Sequence, residues 1–124
     1  MMEPEPTLED VPLVDPAVLA ELASSFEWDL LAGYLRSAVA QAKDVRDTLE
    51  HASGDPQLIR QATHRLRGTS ATLGLARLAS LAETIRRRAE HGQDTAASIA
   101  RLTPMIAATE AEVEDLDERG HAKR

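Results

Sequence analysis

The apolar positions Leu31, Leu35, Ala38, Ala42, Val45, Leu49 and Ala52 step by 4, 3, 4, 3, 4 and 3 residues. That spacing keeps one face of an α-helix apolar for six turns, and it is incompatible with the period of two that a half-buried strand needs. A helix that long with a single apolar stripe must bury it against other helices. The rest of the chain repeats the pattern. Asp15 and Pro16 supply an N-cap and a first helical residue for a short helix through Val18, Leu19 and Leu22. Ser53-Gly54-Asp55-Pro56 ends the long helix and opens a third, which carries Leu58, Ile59, Ala62, Leu66, Thr69 or Ser70, and Leu73 on its apolar face. Gly74 permits a tight reversal into a fourth helix with Leu75, Leu78, Ala82, Ile85 and Ala89, which stops near His91-Gly92. Asp94 can cap a last helix carrying Ile99, Leu102, Ile106, Thr109, Val113 and Leu116. Pro104 either kinks that helix or opens a fresh one capped by Thr103.

The expected fold is therefore all-α, an antiparallel up-and-down four-helix bundle with a short extra N-terminal helix. Residues 1–13, acidic and punctuated by Pro4, Pro6 and Pro12, are expected to be a flexible tail; residues 14–117 form the bundle and residues 118–124 a polar C-terminal tail. The 124-residue length suits one domain. With one Trp, one Tyr and one Phe the core is aliphatic, and base-stacking platforms are not expected. There is no cysteine for a disulfide or a thiolate metal site, no apolar run long enough to span a bilayer, and no basic, apolar-cored leader. A cytoplasmic monomer without membrane contact is the expectation.

The net charge of −7 argues against nucleic acid as a partner, but the charge is unevenly placed. Residues 60–88 hold seven arginines against the single acid Glu83, a local charge of +6, while residues 1–15 carry five acids and Glu110–Glu118 six. An arginine-rich middle fits an acidic partner or a phosphoryl group.

Templates for catalysis and metal binding fail. The chain has no phosphate-binding P-loop, no nucleophile elbow and no H-E-x-x-H, so no metal site and no nucleotide site are expected. His51 and His91 stand just before helix-ending glycines, where a cation complements the helix dipole, and are assigned to capping. His121 lies in the polar tail. His64 differs, because it falls in mid-helix about 200° around the axis from Ala62 and Leu66 and must face solvent. Arg60, Arg67, Gly68 and Ala71 share its strip at spacings of 3 and 4. A helix-interior glycine costs about 1 kcal/mol against alanine, and at position 68 no reversal is wanted, so close approach by another molecule explains it.

The run His64-Arg65-Leu66-Arg67-Gly68-Thr69-Ser70-Ala71-Thr72-Leu73-Gly74, with Leu78 and Leu81 beyond, resembles the histidine-containing phosphotransfer (HPt) family. The family's pattern is met at His64, Leu66, Gly68, Ser70, Leu73, Gly74, Leu78 and Leu81, with Arg for Lys at 67, Thr for Ser at 69, and Ala82-Glu83 where a Leu-Glu pair is frequent. The resemblance extends over most of residues 14–116. It implies that His64 accepts a phosphoryl group from a receiver-domain aspartyl phosphate or a kinase and passes it to another receiver of a response regulator or hybrid kinase. The protein would then be a phosphoryl carrier rather than an enzyme, with Mg²⁺ on the partner and no cofactor of its own. In that role Arg67, one turn away, opposes the phosphoryl charge, Gly68 leaves the partner room, and Arg60, Arg65, Ala71, Arg86 and Arg87 contribute to binding. The phosphoacceptor domain of sensor kinases fits less well, since it wants an acid after the histidine and a nearby proline, whereas Arg65 follows here and the next proline is Pro104. The chemotaxis-kinase phosphoacceptor domain is closer in sequence, yet is normally joined to an ATP-binding region that this length cannot hold. The alternative from another class is a helical scaffold that binds an acidic partner through the arginine strip.

Overall fold

The computed structural model describes residues 7–52 and 54–122, without the side chains of residues 121–122. A single 3₁₀ turn, Leu8–Asp10, precedes six α-helices: α1 (Pro16–Ser25), α2 (Trp28–Glu50), α3 (Pro56–Thr72), α4 (Ala76–Glu90), α5 (Ala96–Ala100) and α6 (Leu102–Ala122). No strand occurs among the described residues. The four long helices α2, α3, α4 and α6 form the up-and-down bundle. α3 packs most extensively on α4, α2 lies between α3 and α6, and α4 closes against α6. The short α1 lies against α2.

Each boundary has a local cause. Asp15 accepts from the Ala17 N–H at 2.9 Å, and Asp55 accepts from the N–H groups of Gln57 and Leu58, so both caps fall where a proline opens the helix. Gly74 and Gly92 adopt φ of 75° and 66° and end α3 and α4. After each, the next residue's N–H reaches back to a carbonyl five residues earlier, Leu75 to Ser70 and Gln93 to Arg88, the paired-bond termination that a left-handed residue makes possible. Gly74 is doubly fixed, because a Cβ there would meet Val18 of α1 at 3.0 Å.

All seven stripe positions, six on α2 and Ala52 just beyond its end, are buried, and they meet Ile59, Ala62 and Leu66 of α3, Leu75, Leu78, Leu81, Ala82 and Ile85 from the α4 side, and Leu102, Ile106 and Val113 of α6. Two threonines join this aliphatic core without orphaning a hydroxyl: Thr63 donates to the Ile59 carbonyl at 2.7 Å and Thr109 to that of Met105 at 2.8 Å.

Several expectations need correction. Leu58 was expected on the buried face of α3 and is exposed, since the face is centred on Ile59, Ala62, Thr63 and Leu66. The expected 1–13 tail is not one over its described part: Leu8 is buried in the core, Arg77 Nε donates to the Val11 carbonyl at 2.7 Å, and Arg101 pairs with Glu9 at 3.3 Å. Residues 1–6 of that tail, and Ser53 of the expected helix break, lie outside the described residues. Pro104 neither kinks a long helix nor begins one. The break falls at Arg101, and Pro104 is the third residue of α6, where an N–H would have had no intrahelical partner anyway. Asp94 stands one residue before the N-cap, Thr95; it accepts from the Ala96 N–H at 3.0 Å, and the helix that follows is the short α5 rather than the last long one. The expected C-terminal tail from 118 is helical as far as Ala122, and 123–124 lie outside the described residues. There the Trp28 indole N–H donates to the buried Asp117 at 2.9 Å, and Gly120 lies so close to the ring that a Cβ would stand 2.5 Å from Nε1.

Candidate functional site

His64 stands at the middle of α3, exposed, with buried Thr63, Ala62 and Leu66 on the other side of the helix. It forms a ridge between two open grooves. One runs between α3 and the α1–α2 pair and is walled by Leu22, Phe26, Tyr34, Ala38 and Leu73, with Arg65 and Gly68 on its rim. The other runs between α3 and α4 and is lined by Arg60, Gln61, His64, Arg67, Arg86 and Glu90. The imidazole thus has an apolar surface on one flank and a charged one on the other.

On the apolar flank Phe26 and Tyr34 meet edge to face, ring centres 5.9 Å apart at 83°. Phe26, Leu30 and Tyr34, spaced four apart, are 40%, 49% and 45% exposed, so the α1–α2 junction and the start of α2 present a second apolar stripe outside the core. Gly68 is open: nothing lies within 4 Å of where its Cβ would stand. No neighbour inside the molecule therefore requires a glycine there.

On the charged flank Arg86 and Arg67 are paired with carboxylates. Glu83, projecting from α4, accepts from Arg86 Nε at 3.1 Å and pairs with a second Arg86 nitrogen, while Arg86 also donates to Glu90 at 2.6 Å. Arg67 Nε lies 3.6 Å from the same Glu83 carboxylate. The hydrogen bonds from Arg86, helped by the charges of Arg86, Arg67 and Arg87, hold the Glu83 carboxyl below the usual carboxylate range.

Of the residues singled out in the sequence, Arg60, His64, Arg67 and Arg86 share the charged groove, and Arg65 and Gly68 join His64 on the other. Ala71 is exposed on the same strip but lines neither groove, and neither does the half-buried Arg87. His51 and His91 cap helix ends as expected, each Nδ1 lying 2.7 Å from a last-turn carbonyl, of Asp47 and of Arg87. The side chain of His121 lies outside the described residues. Two parts were missed. The signal for the aromatic wall was the four-residue spacing of Phe26, Leu30 and Tyr34, off-register from the core stripe; the signal for Glu83 was its isolation among seven arginines. Among the described residues no group of three or more acidic or histidine side chains is arranged to hold a metal ion, and no helix is long and apolar enough to cross a membrane.

His64 is thus a mid-helix, solvent-facing histidine with arginines at −4 and +3 and an open glycine at +4, and comparison with known proteins bears on the chain that carries it. The family model of the Hpt domain matches residues 29–118, which take in α2 but for its first residue, α3, α4, α5 and most of α6. The chain belongs to the Hpt domain family. Its members are phosphocarriers of two-component signalling rather than enzymes with turnover. The chain is also similar to histidine-containing phosphotransfer protein B (HptB) from Pseudomonas aeruginosa PAO1. That crystal structure superposes with a TM-score of 0.79 at 26% identity, over 87% of this chain and 96% of that one. Comparison with curated protein sequences gave no significant match. This Hpt chain thus carries its histidine strip on α3, the second long helix of the bundle.

Proposed function

We propose that this Hpt protein is a phosphorelay intermediate that accepts a phosphoryl group on His64 and passes it to the aspartate of a receiver domain. The observation that carries this reading is the placement of His64, the one histidine lifted out of capping among those whose side chains are described, between an apolar groove and an arginine-lined one. A neutral imidazole nitrogen is a competent nucleophile near pH 7. Attack on a receiver's aspartyl phosphate, or on a kinase's phosphoryl donor, forms the N–P bond as the O–P bond to the leaving oxygen breaks. Arg67, three residues on and facing the same groove, is the best-placed group to oppose the transferred charge, with Arg60 and Arg86 adding to the positive field. Gly68 leaves the receiver's loops free access to the imidazole, and Arg65, on the rim of the apolar groove, meets the acidic border of the partner. In this reading the chain acts as a cytoplasmic monomer, and the Mg²⁺ of the exchange belongs to the receiver's acidic pocket.

The test is intact mass in neutral buffer after wild type and His64→Gln are incubated with phosphorylated receiver domains from the same cell. The reading expects an acid-labile gain of one phosphoryl group on wild type alone. A protein confirmed folded that gains none, yet binds its partner equally well as His64→Gln, would instead be a scaffold acting through the arginine strip.

A further inference from the structure

Glu83 of α4 pairs with two arginines that line the charged groove, Arg67 and Arg86, and it holds them very differently. Arg86 is clamped between Glu83 and Glu90, and its side chain is 27% exposed. Arg67 Nε lies 3.6 Å from Glu83, beyond good hydrogen-bond distance, and the Arg67 side chain is 57% exposed. A loose, exposed ion pair of that kind contributes little, whereas a guanidinium on a phosphoryl oxygen makes a short, charge-assisted bond. Arg67 also lines the groove one helical turn from His64.

We infer that Glu83 is a placeholder for the phosphoryl group: it holds Arg67 while His64 is bare and yields it when His64 is phosphorylated, so that its competition for Arg67 limits how firmly phospho-His64 is retained. Glu83 acts through Arg67 and is a positioning residue. The inference rests on the reading of His64 as the acceptor. Its physical logic is that a relay intermediate must not become a sink. An arginine with no competing anion would stabilise the phosphorylated state in full, while one already engaged contributes only the difference between its two partners.

The experiment uses phosphoramidate as the donor, so that no partner protein is needed. The imidazole nitrogen of His64 forms an N–P bond as the P–N bond of phosphoramidate breaks, and ammonia leaves with the proton released by the imidazolium. Wild type, Glu83→Gln, Arg67→Gln and the double variant are loaded, checked for helicity by circular dichroism, and followed by intact mass and ³¹P NMR as the phosphoryl group is lost at neutral pH. Glu83→Gln is expected to retain it about two- to fivefold longer than wild type, the span that one exposed ion pair allows. Arg67→Gln is expected to lose it faster, and the double variant to match Arg67→Gln. In ¹⁵N spectra the Arg67 Nε–Hε resonance is expected to move on phosphorylation of wild type, and to be displaced already in the bare Glu83→Gln protein. Equal lifetimes for wild type and Glu83→Gln would overturn the inference while leaving the acceptor reading intact, as would the same lengthening in the Arg67→Gln background. Absence of phosphohistidine on wild type, with His64→Gln indistinguishable, would instead overturn the acceptor reading and the inference with it.

Discussion

Replacing Gly68 by alanine separates the stability of the bundle from its use. In a helix interior the change from glycine to alanine is worth about 1 kcal/mol, provided the new methyl group meets nothing. At Gly68 it meets nothing, because no atom outside the local helix lies within 4 Å of the Cβ position. With an unfolding entropy of about 2.1 cal/mol/K per residue over 124 residues, 1 kcal/mol raises Tm by about 4 °C. The same methyl group stands beside His64 on the surface that a receiver must approach. An inserted methyl in a close-packed contact costs about 1–3 kcal/mol, so transfer efficiency should fall by roughly 5- to 150-fold. Thermal unfolding by circular dichroism reads the first effect, and the rate of phosphoryl transfer from a phosphorylated receiver reads the second. Gly68→Ala would therefore be more stable and less active, the opposite of what a core substitution does. A destabilised Gly68→Ala would refute the claim that the position is open. Unimpaired transfer in both Gly68→Ala and the bulkier Gly68→Gln would refute the claim that a partner approaches there.

Three other outcomes follow from the geometry. Asp55→Ala removes the oxygen that accepts from Gln57 and Leu58 at the start of α3 and should cost about 1 kcal/mol in urea unfolding, whereas Asp55→Asn should cost far less. Gly120→Ala drives a methyl group to 2.5 Å from the Trp28 indole and should destabilise by about 1–3 kcal/mol, with a changed tryptophan emission because the ring must shift against Asp117. Glu83 has its carboxyl held low in the folded state, chiefly by hydrogen bonds from Arg86. The stability it contributes is therefore present above the unfolded glutamate value, about 4.3, and is lost as pH falls through the lower folded value. Chemical unfolding between pH 7 and pH 3 should show a shallower acid decline for Glu83→Gln than for wild type, and identical slopes would contradict the assignment.

What could be read from the residues was what depends on near neighbours. The stripe from Leu31 to Ala52 dictates a buried helix face whatever surrounds it, and Asp15-Pro16, Asp55-Pro56 and Gly74 act through bonds a few residues long. His64 was legible for the same reason, since its position on α3 relative to Ala62 and Leu66 follows from helical geometry alone. What escaped was set by distant partners. Leu8 is buried in a core built from helices far along the chain, and Arg77 bonds to the segment around it. Residues 118–122 stay helical beside Trp28 and Asp117, which no local pattern announces. Charge counting gave the arginine-rich region its sign but not its pairing: Glu83 and Glu90 engage Arg86, and Glu83 reaches Arg67 across the α3–α4 groove. The acidic run of α6 is likewise committed in part, with Glu110 on Lys43 and Glu114 on Arg36.

The measurement that bears most directly on the relay role of His64 is the return step. Protein loaded on His64 and freed of donor is mixed with an unphosphorylated receiver domain and Mg²⁺, and both species are followed by mass over time. The account predicts that loss of the phosphoryl group from wild type is matched by an equal gain on the receiver's aspartate, and that His64→Gln carries nothing to give. Loss to water alone at the same rate with or without any receiver of that cell, or an equal load on His64→Gln, would contradict it.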